Sequence, residues 1–442
     1  MQGRGHFIDC GFFICIKTTL YILVLRNTYC VTLYIIYIKF YSVYINDAKC
    51  LHEYSFCYIV YIIFYIVYIE YIKQTIKGEY DIMVIFIGGE SANSFVKMVS
   101  SLSKLDAARN PIVDTYLNTL TEVDKYDAYD DISGVLRPKH YEVNGVYYQV
   151  GLRAETSEQD NSYLDGIERY KHPNFKTETL IAIYRQLEKK NCFNEPIYYV
   201  TGVPVKHFNK TVEDTIKDIL ISDSPHLVNG KPINIKDVKV IKQALSSYYN
   251  DLLDNNAKPN ASFYKAIKEK NILYFDIGWG TSDVQRIVDR KPLGDAHLDG
   301  VKSIIDKVYK DAISLGTIES DKLKALGVPK LGFHNTIKTG ILKCSRDMEL
   351  DMTKSRNKHV SSFLNAMSRL IKSDFEISNI DTVYFCGGGA IALERDIKQH
   401  FKEFFGYNDI QMEKKFVFIS GAQQSNARGY YKFALKYFRK EA

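Results

Sequence analysis

The sequence predicts an α/β protein made of two similar halves, each with a central sheet, and a ligand held between them. Three observations carry this prediction. Short apolar strands run into Gly/Ser-rich turns at two places about 190 residues apart, near Gly88 and Gly278. A further apolar strand runs into three glycines, Gly387–Gly389, and then into a segment of helical spacing. Strands and helical segments alternate along the chain, as in α/β proteins.

Residues 1–82 differ in composition from the rest of the chain. They hold 13 of the 34 tyrosines and five of the eight cysteines, which sets them apart from an ordinary globular segment. A membrane-associated segment is one interpretation, although the apolar run Phe56–Ile69 is shorter than the roughly 20 residues of a spanning helix. A β-prone aggregating segment is a second. The third is a mis-assigned start, with intergenic DNA read as protein.

We favour the mis-assigned start. Tyr-Ile repeats are what alternating T and A bases encode, and Lys77-Gly78-Glu79 can be encoded by AAAGGAGAA, a ribosome-binding sequence just before Met83. We therefore expect residues 1–82 to be a non-native leader, and we expect the fold to begin at Met83. N-terminal mass spectrometry of the native protein should find no peptide from them. A peptide containing Tyr29 or Tyr61 would overturn this and favour the membrane interpretation.

Charge and cysteine content exclude some classes of protein. The net charge of +6 is spread among many acidic residues, so it does not indicate direct nucleic-acid binding. From Met83 onwards only Cys192, Cys344 and Cys386 occur, far apart and in no metal-ligand spacing. This pattern argues against disulfides and zinc, and it suits a reducing cytoplasm.

The first half opens with a strand, a turn and a strand. Met83–Ile87 is predicted as the opening strand, Gly88–Ser94 as the turn and Phe95–Val99 as the second strand. An ordinary hairpin is the alternative to a phosphate loop here. The further elements predicted before the second glycine turn are a hairpin at Tyr141–Val150, helices at Thr177–Lys190 and Lys206–Ser222, a strand at Ile197–Pro204, a hairpin at Leu227–Ile233 and a strand at Ile235–Ile241.

Two polar residues follow strand ends in this half. Gln243 comes just after the predicted strand Ile235–Ile241, where its amide is a candidate for orienting a water; an exposed amide without a role is the alternative. His207 follows the strand Ile197–Pro204, and we predict that it is a surface residue of the next turn.

The segment Asn271–Val284 carries the strongest chemical signal. It reads as a buried strand that reaches Asp276, a Gly-Trp-Gly-Thr-Ser turn, and a strand that begins at Asp283. Glycines let backbone N–H groups surround an anion, Thr281 and Ser282 add hydroxyl donors, and Asp276 can hold a hydrated Mg²⁺ against phosphates. An ordinary hairpin is again the alternative.

The remaining chain supplies helices and a second glycine motif. A helix is predicted over Asp295–Leu315 with Gly294 as a hinge, and another over Val360–Lys372. The strand Asp381–Cys386 runs into Gly387–Gly389, where bare backbone allows a flat ligand such as a purine to lie; a merely flexible link is the alternative. The helix Ile391–Phe401, the strand Phe416–Ile419 and a terminal helix at Asn426–Lys440 complete the prediction.

The order of these motifs resembles that of the actin, heat-shock chaperone and sugar-kinase superfamily. From Met83 to the C-terminus the chain is most similar to plasmid-segregation actins of the ParM and StbA type. The segments that carry the resemblance are Met83–Ile87, Ile235–Val240, Asp276–Asp283, Leu293–Asp295 and Gly387–Ala390.

The resemblance implies an actin-like fold, with domain I at residues 83–270 and domain II at residues 271–442. It implies a bacterial, cytoplasmic ATPase that uses ATP or GTP with Mg²⁺. Such proteins assemble with themselves into head-to-tail filaments and bind a DNA-bound adaptor on a plasmid centromere, without contacting nucleic acid directly. No membrane contact is expected if the chain starts at Met83.

The resemblance also assigns roles to residues. Gln243 is the water-activating residue and Asp276 holds Mg²⁺ through water, both being catalytic. The phosphate-binding residues are Ser91, Asn93 and Lys97 in the first loop and Gly278, Trp279, Gly280 and Thr281 in the second, and the adenosine-binding residues are Gly387, Gly388 and Gly389. The first loop has Glu90 where the family usually has aspartate. Either Glu90 takes over at the metal, or this loop holds phosphate without helping the metal.

Two other functions stay open. A small-molecule kinase of the same superfamily would need a catalytic aspartate aimed at a substrate hydroxyl, and the sequence offers no convincing one. A membrane-anchored cytoskeletal scaffold would use residues 1–82.

Overall fold

A computed structural model describes residues 83–92, 94–124, 140–151, 166–326, 328, 330–345 and 348–439. The interpretations of residues 1–82 and the role of Asn93 therefore lie outside the described residues. Residues 82–442 form one compact unit, and all that follows concerns this unit.

The first sheet contains nine described strands in the order β3-β2-β1-β7-β9-β8-β5-β6-β4. β1 is antiparallel to β2 and parallel to β7, which is parallel to β9. The strands are β1 Ile85–Ser91, β2 Phe95–Ser100, β3 Asp114–Leu117, β4 Leu120–Val123, β5 His140–Val143, β6 Val146–Val150, β7 Pro196–Val203, β8 His226–Val228 and β9 Lys231–Lys242.

The second sheet contains five described strands in the order β12-β11-β10-β15-β16. β10 is antiparallel to β11 and parallel to β15, which is parallel to β16. The strands are β10 Asn271–Ile277, β11 Thr281–Val288, β12 Lys291–Asp299, β15 Thr382–Cys386 and β16 Phe416–Phe418, with a separate pair formed by β13 Ile341–Ser345 and β14 Met348–Asp351.

The two sheets repeat one topology. In each, three antiparallel strands in sequence, β1-β2-β3 or β10-β11-β12, continue through the first of them into two parallel strands. Parallel neighbours require long crossover connections, and both sheets make them through helices. The predicted α/β architecture of two similar halves, each with a mixed central sheet, is confirmed.

Eleven described α-helices surround the sheets. They are α1 Pro173–Glu188, α2 Lys210–Leu220, α3 Gln243–Leu252, α4 Ala261–Ala266, α5 Lys302–Ile313, α6 Ile318–Leu326, α7 Lys330–Thr339, α8 Thr353–Arg369, α9 Gly388–Phe405, α10 Asp409–Lys415 and α11 Ala422–Phe438. None of these described helices combines the length and apolar composition that crossing a bilayer requires. The predicted helix Thr177–Lys190 is confirmed, since α1 covers most of it. Its apolar residues Leu180, Ile183 and Leu187 are fully buried.

The last helix, α11, packs against the first sheet and crosses α3 at very short range. A Cβ on Gly429 would lie 1.7 Å from the Ser246 carbonyl oxygen, and a Cβ on Gly88 would lie 2.0 Å from the Tyr431 nitrogen. Only glycine permits these backbone contacts. The division of the chain at residues 270 and 271 stays a prediction, but α11 returns from the second sheet to the first.

The predicted turn Gly88–Ser94 was placed too early. Gly88, Gly89 and Glu90 lie within β1, and the chain turns between Ser91 and Phe95. β1 continues because Glu90 pairs with Lys97 across the strands, which offsets the cost of burying either charge. In the second hairpin, likewise, Thr281 and Ser282 already belong to β11.

The predicted helix Asp295–Leu315 is wrong in its first part. Residues Lys291–Asp299 form β12, in which exposed and half-buried residues alternate from Gly294 onwards, and α5 begins only at Lys302. Leu298 lies near the end of β12 and Val301 lies just before α5. Their separation of three residues therefore matches helical spacing although no helix spans both. Gly294 therefore lies in a strand and does not act as a hinge before a helix.

The glycine motif after β15 also differs in detail. α9 begins at Gly388, so two of the three glycines form the first turn of the helix and only Gly387 connects the strand to it. Gly387 has a φ of 86°, a left-handed conformation that favours glycine.

Candidate functional site

A cleft of about 560 Å³ lies between the two halves, at the ends of β1, β10 and β15. Clefts at the carboxyl ends of parallel strands are common ligand sites in α/β proteins. The predicted site residues that line it are Glu90, Ser91, Lys97, Gln243, Asp276, Gly278, Trp279, Gly280, Thr281, Gly387, Gly388 and Gly389. Of the predicted site residues, only Asn93 lies outside the described part of the chain.

Asp276 is buried near the end of β10 and reaches the cleft. Its Oδ2 accepts a hydrogen bond of 2.8 Å from Asn426 Nδ2, whereas its buried Oδ1 has no hydrogen-bond partner. A Cβ on Gly387 would lie 2.4 Å from Oδ1. Burial, with a contribution from Glu90, raises the pKa of Asp276 to about 6. A buried carboxylate oxygen without a partner is costly unless a cation or a donor reaches it.

This oxygen fits a hydrated Mg²⁺. Mg²⁺ prefers oxygen ligands and keeps several waters, so one carboxylate and the phosphates of a nucleotide suffice to hold it. Within the described ranges, no group of three or more His, Cys, Asp or Glu side chains could bind a metal ion directly. The donor set therefore agrees with an ion held through water at Asp276.

Glu90 is occupied by other partners. Its Oε1 accepts from Lys97 Nζ at 2.7 Å, and its Oε2 accepts from the Tyr430 hydroxyl at 3.2 Å. Burial alone would lower the pKa of Lys97, but the Glu90 carboxylate outweighs this, and the pKa of Lys97 is raised. These contacts favour the alternative in which the first loop holds phosphate without helping the metal.

The second glycine turn is fixed by backbone hydrogen bonds. Gly278 N–H donates to the Thr281 carbonyl at 2.9 Å, which closes the turn, and Lys302 N–H donates to the Trp279 carbonyl at 2.9 Å. A Cβ on Gly300 would lie 2.2 Å from the Trp279 carbonyl oxygen, so the turn rests directly on the chain before α5. The turn is thus held in one conformation beside the cleft.

Gln243 is the first residue of α3 and directly follows β9. Its half-buried side chain lines the cleft beside Asp276. Burial raises the pKa of Asp276, and the nearby Gln243 amide lowers it to a smaller extent. The junction of strand and helix therefore places an amide beside the Asp276 carboxylate.

Comparison with known proteins agrees with this arrangement. Residues 96–245 match the family model described as the actin like proteins N terminal domain. Over residues 96–245 the chain is similar to that domain. No curated protein matches the sequence.

Solved structures of actin-like proteins share the whole fold. The crystal structure of actin-like protein Alp7A has a TM-score of 0.58 at 14% identity, covering 81% of this chain and 98% of its own. A 15-stranded ParM filament from Clostridium botulinum has a TM-score of 0.58 at 16% identity, covering 80% and 99%. The archaeal actin homolog Ta0583 in complex with ADP has a TM-score of 0.50 at 14% identity, covering 80% and 100%. The predicted actin-like fold is confirmed.

One buried acidic residue next to Asp276 was not assigned a role from the sequence. Asp283 is buried on β11, directly opposite Asp276 in the strand register. It accepts hydrogen bonds from Val205 N–H at 3.3 Å and from Thr281 Oγ1 at 3.2 Å, and burial, with a contribution from Asp276, raises its pKa to about 7. The alternation of residues around the turn was the available signal, since it places both aspartates on one face of the hairpin.

His334 was missed for a different reason. It lies on α7 and contacts both glycine hairpins: its Nε2 is 2.9 Å from Ser94 Oγ, and its ring centroid is 5.2 Å from that of Phe95 and 4.8 Å from that of Trp279. Because Ser94 and His334 are 240 residues apart, no local pattern could bring them together.

The prediction that His207 is a surface residue is wrong. Its ring is buried, Nδ1 lies 3.2 Å from the Tyr170 hydroxyl, and the two rings meet edge to face. Burial, together with the nearby charges of Lys206 and Arg169, lowers the pKa of His207 to about 4. Tyr170 and His207 are 37 residues apart in the sequence. The position of His207 after a strand end therefore could not reveal this contact.

We expect His207 to make the folded protein sensitive to acid. Between pH 6.5 and 4 the unfolded chain binds a proton on His207 that the native state does not, so stability is lost as pH falls. The free energy of unfolding of wild type minus that of His207→Gln should therefore decrease from pH 7 to pH 4.5, by at most about 1.4 kcal/mol per pH unit. Urea unfolding at several pH values measures it, and the other histidines cancel in the difference. Parallel curves would contradict it.

Proposed function

We propose that this actin-like protein forms nucleotide-dependent filaments that segregate plasmid DNA, and that it hydrolyses ATP or GTP in the cleft. One observation carries the proposal: two glycine hairpins from the two halves, the unpartnered oxygen of Asp276 and the amide of Gln243 line one cleft. The relatives described as a filament and as an ADP complex support it.

The cleft offers donors for the phosphates from both sides. In this proposal, the backbone N–H groups of Trp279 and Gly280 bind from one half, while Gly278 N–H closes the turn. The Thr281 hydroxyl would turn from Asp283 to the phosphate. Ser91 and Lys97 bind from the other half. The Lys97 ammonium group, which pairs with Glu90, would then interact with both Glu90 and the phosphate. Gly387–Gly389 leave room for the adenosine, close to the N-terminus of α9.

Hydrolysis then needs only positioning and charge stabilisation. Mg²⁺ held through water at Asp276 supplies neutralisation of the phosphate charge when it is bound. Gln243 orients a water in line with the γ-phosphorus, a new P–O bond forms, and the bond to the bridging oxygen breaks to leave the nucleoside diphosphate. An amide is a poor general base, so the proton of the attacking water passes to phosphate oxygen, not to Gln243.

Assembly requires two complementary surfaces at opposite ends of the subunit. Large apolar side chains on the surface are available for such contacts, among them Ile318, which is 72% exposed, and Ile410, which is 79% exposed. We propose that the filament acts in the bacterial cytoplasm and that an adaptor protein, bound to a plasmid centromere, links it to DNA. Hydrolysis would then limit the lifetime of the filament.

Sedimentation of the purified protein tests this function. We expect the protein to pellet with Mg-ATP or Mg-GTP and to remain in the supernatant with the diphosphate or without nucleotide. The samples with the diphosphate and without nucleotide control for non-specific association, and Ile410→Ala tests whether this exposed side chain contributes to the contact. The same pelleted fraction under all four conditions would refute nucleotide-dependent assembly.

A further inference from the structure

The last helix carries polar side chains into the interior of the protein. Ser425, Asn426 and Tyr430 on α11 are each at most 2% exposed, although most of the neighbouring buried residues of the helix are apolar. Tyr430 reaches Glu90 and Asn426 reaches Asp276, so one helix contacts an acid in each of the two hairpins.

A chain of hydrogen bonds ends on Asp276. Ser425 Oγ and Ser247 Oγ are 2.7 Å apart, Ser247 Oγ donates to Asn426 Oδ1 at 2.6 Å, and Asn426 Nδ2 donates to Asp276 Oδ2 at 2.8 Å. Since an ionised carboxylate only accepts hydrogen bonds, Asn426 must present its NH₂ group to Asp276. The Ser247 hydroxyl satisfies the other end of the amide and fixes this orientation.

The hydrogen bond from Asn426 occupies one oxygen of Asp276 and leaves the other without a partner. Oδ2 is held by Asn426, and Oδ1 is left buried, without a hydrogen-bond partner, close to Gly387 in the cleft lining. Rotation of the carboxylate would break the bond to Asn426, so the amide restricts Asp276 to one orientation.

We propose that Asn426 is a positioning residue of the nucleotide site, holding Asp276 so that Oδ1 faces the cleft and receives the water shell of Mg²⁺. This inference rests on the proposed function. Asn426 itself touches neither nucleotide nor metal in this scheme. Outer partners of this kind commonly change metal affinity about 10- to 100-fold when they are removed.

A purely structural role makes a different prediction. If Asn426 only fills space where α11 crosses α3, then leucine, whose side chain has the same number of heavy atoms and the same branching, should replace it better than alanine. If the N–H donor matters, Asn426→Leu and Asn426→Ala should be equally defective at the metal. Ser368→Ala is the matched control, because it removes a buried hydroxyl on α8 that contacts His400 and belongs neither to the chain of hydrogen bonds nor to the cleft lining.

The experiment measures the dissociation constant of ADP or GDP, whichever binds wild type more tightly, with Mg²⁺ and with EDTA. Calorimetry on the full chain gives both constants. The constant in EDTA divided by the constant with Mg²⁺ is the ratio that isolates the contribution of the metal. We expect Asn426→Leu and Asn426→Ala each to reduce this ratio about 10- to 100-fold. Their affinities in EDTA, and both affinities of Ser368→Ala, should match wild type.

Each outcome decides a separate question. A wild-type ratio in Asn426→Leu would overturn the positioning role, whereas absence of binding to wild type would refute the proposed function instead. If both Asn426 variants lose binding even in EDTA, Ser247→Ala decides, since it removes only the hydroxyl that orients the amide. A reduced ratio in Ser247→Ala then supports the proposal, and an unchanged ratio overturns it.

Discussion

Asp276→Ala is expected to lower nucleotide hydrolysis by at least about 100-fold. The substitution removes the carboxylate proposed to hold hydrated Mg²⁺, including its unpartnered Oδ1. Metal-assisted charge neutralisation is worth several kcal/mol in such reactions, and each 1.4 kcal/mol corresponds to about a tenfold change in rate. Phosphate release at saturating Mg-ATP or Mg-GTP measures the effect.

Two controls accompany Asp276→Ala. Asp321→Ala removes an exposed carboxylate that pairs with Lys324 on α6, far from the cleft lining, and should leave turnover unchanged. Circular dichroism checks the fold, because the substitution also leaves the Asn426 amide without its acceptor. Near-normal phosphate release by a folded Asp276→Ala protein would place the metal site elsewhere.

Gln243→Ala is expected to separate hydrolysis from assembly. Neither glycine hairpin is changed, so nucleotide binding and sedimentation with triphosphate should persist. Loss of an oriented water should slow phosphate release by about two to four powers of ten. Filaments should therefore form and then fail to disassemble, as measured by light scattering alongside phosphate release.

The surface variant Gln399→Ala is the amide control for this experiment, because Gln399 is exposed on α9 and its amide donates to Glu403 on the same helix. It should assemble, hydrolyse and disassemble like wild type. If Gln243→Ala lost assembly while releasing phosphate at the wild-type rate, Gln243 would be an interface or structural residue.

Local patterns were sufficient to predict most of the strands and the position of the cleft. The apolar run before Asp276, the glycines that follow it and the strand before Gln243 are short-range signals, and the structure places these residues together. The hairpin through Asn144 and Gly145 was predictable for the same reason, since both residues adopt the positive φ angles of such turns.

Contacts between distant residues were not predictable in this way. Asn426 lies 150 residues from Asp276, and Tyr430 lies 340 residues from Glu90. The pairing of Glu90 with Lys97 was within reach of sequence reasoning, because the two residues flank a hairpin. It was missed because the turn was placed at the glycines, which β1 in fact includes.

A nucleotide is proposed to bind in the cleft between the two halves. Trp279 is the only tryptophan of the chain and lines this cleft, with its ring 4.8 Å from His334 between centroids. Intrinsic tryptophan fluorescence therefore reports directly on ligand at the site. Titration with Mg-ADP or Mg-GDP should give a saturable change that fits one site per chain. Absence of a saturable change with both nucleotides, together with absence of binding by calorimetry, would contradict the claim.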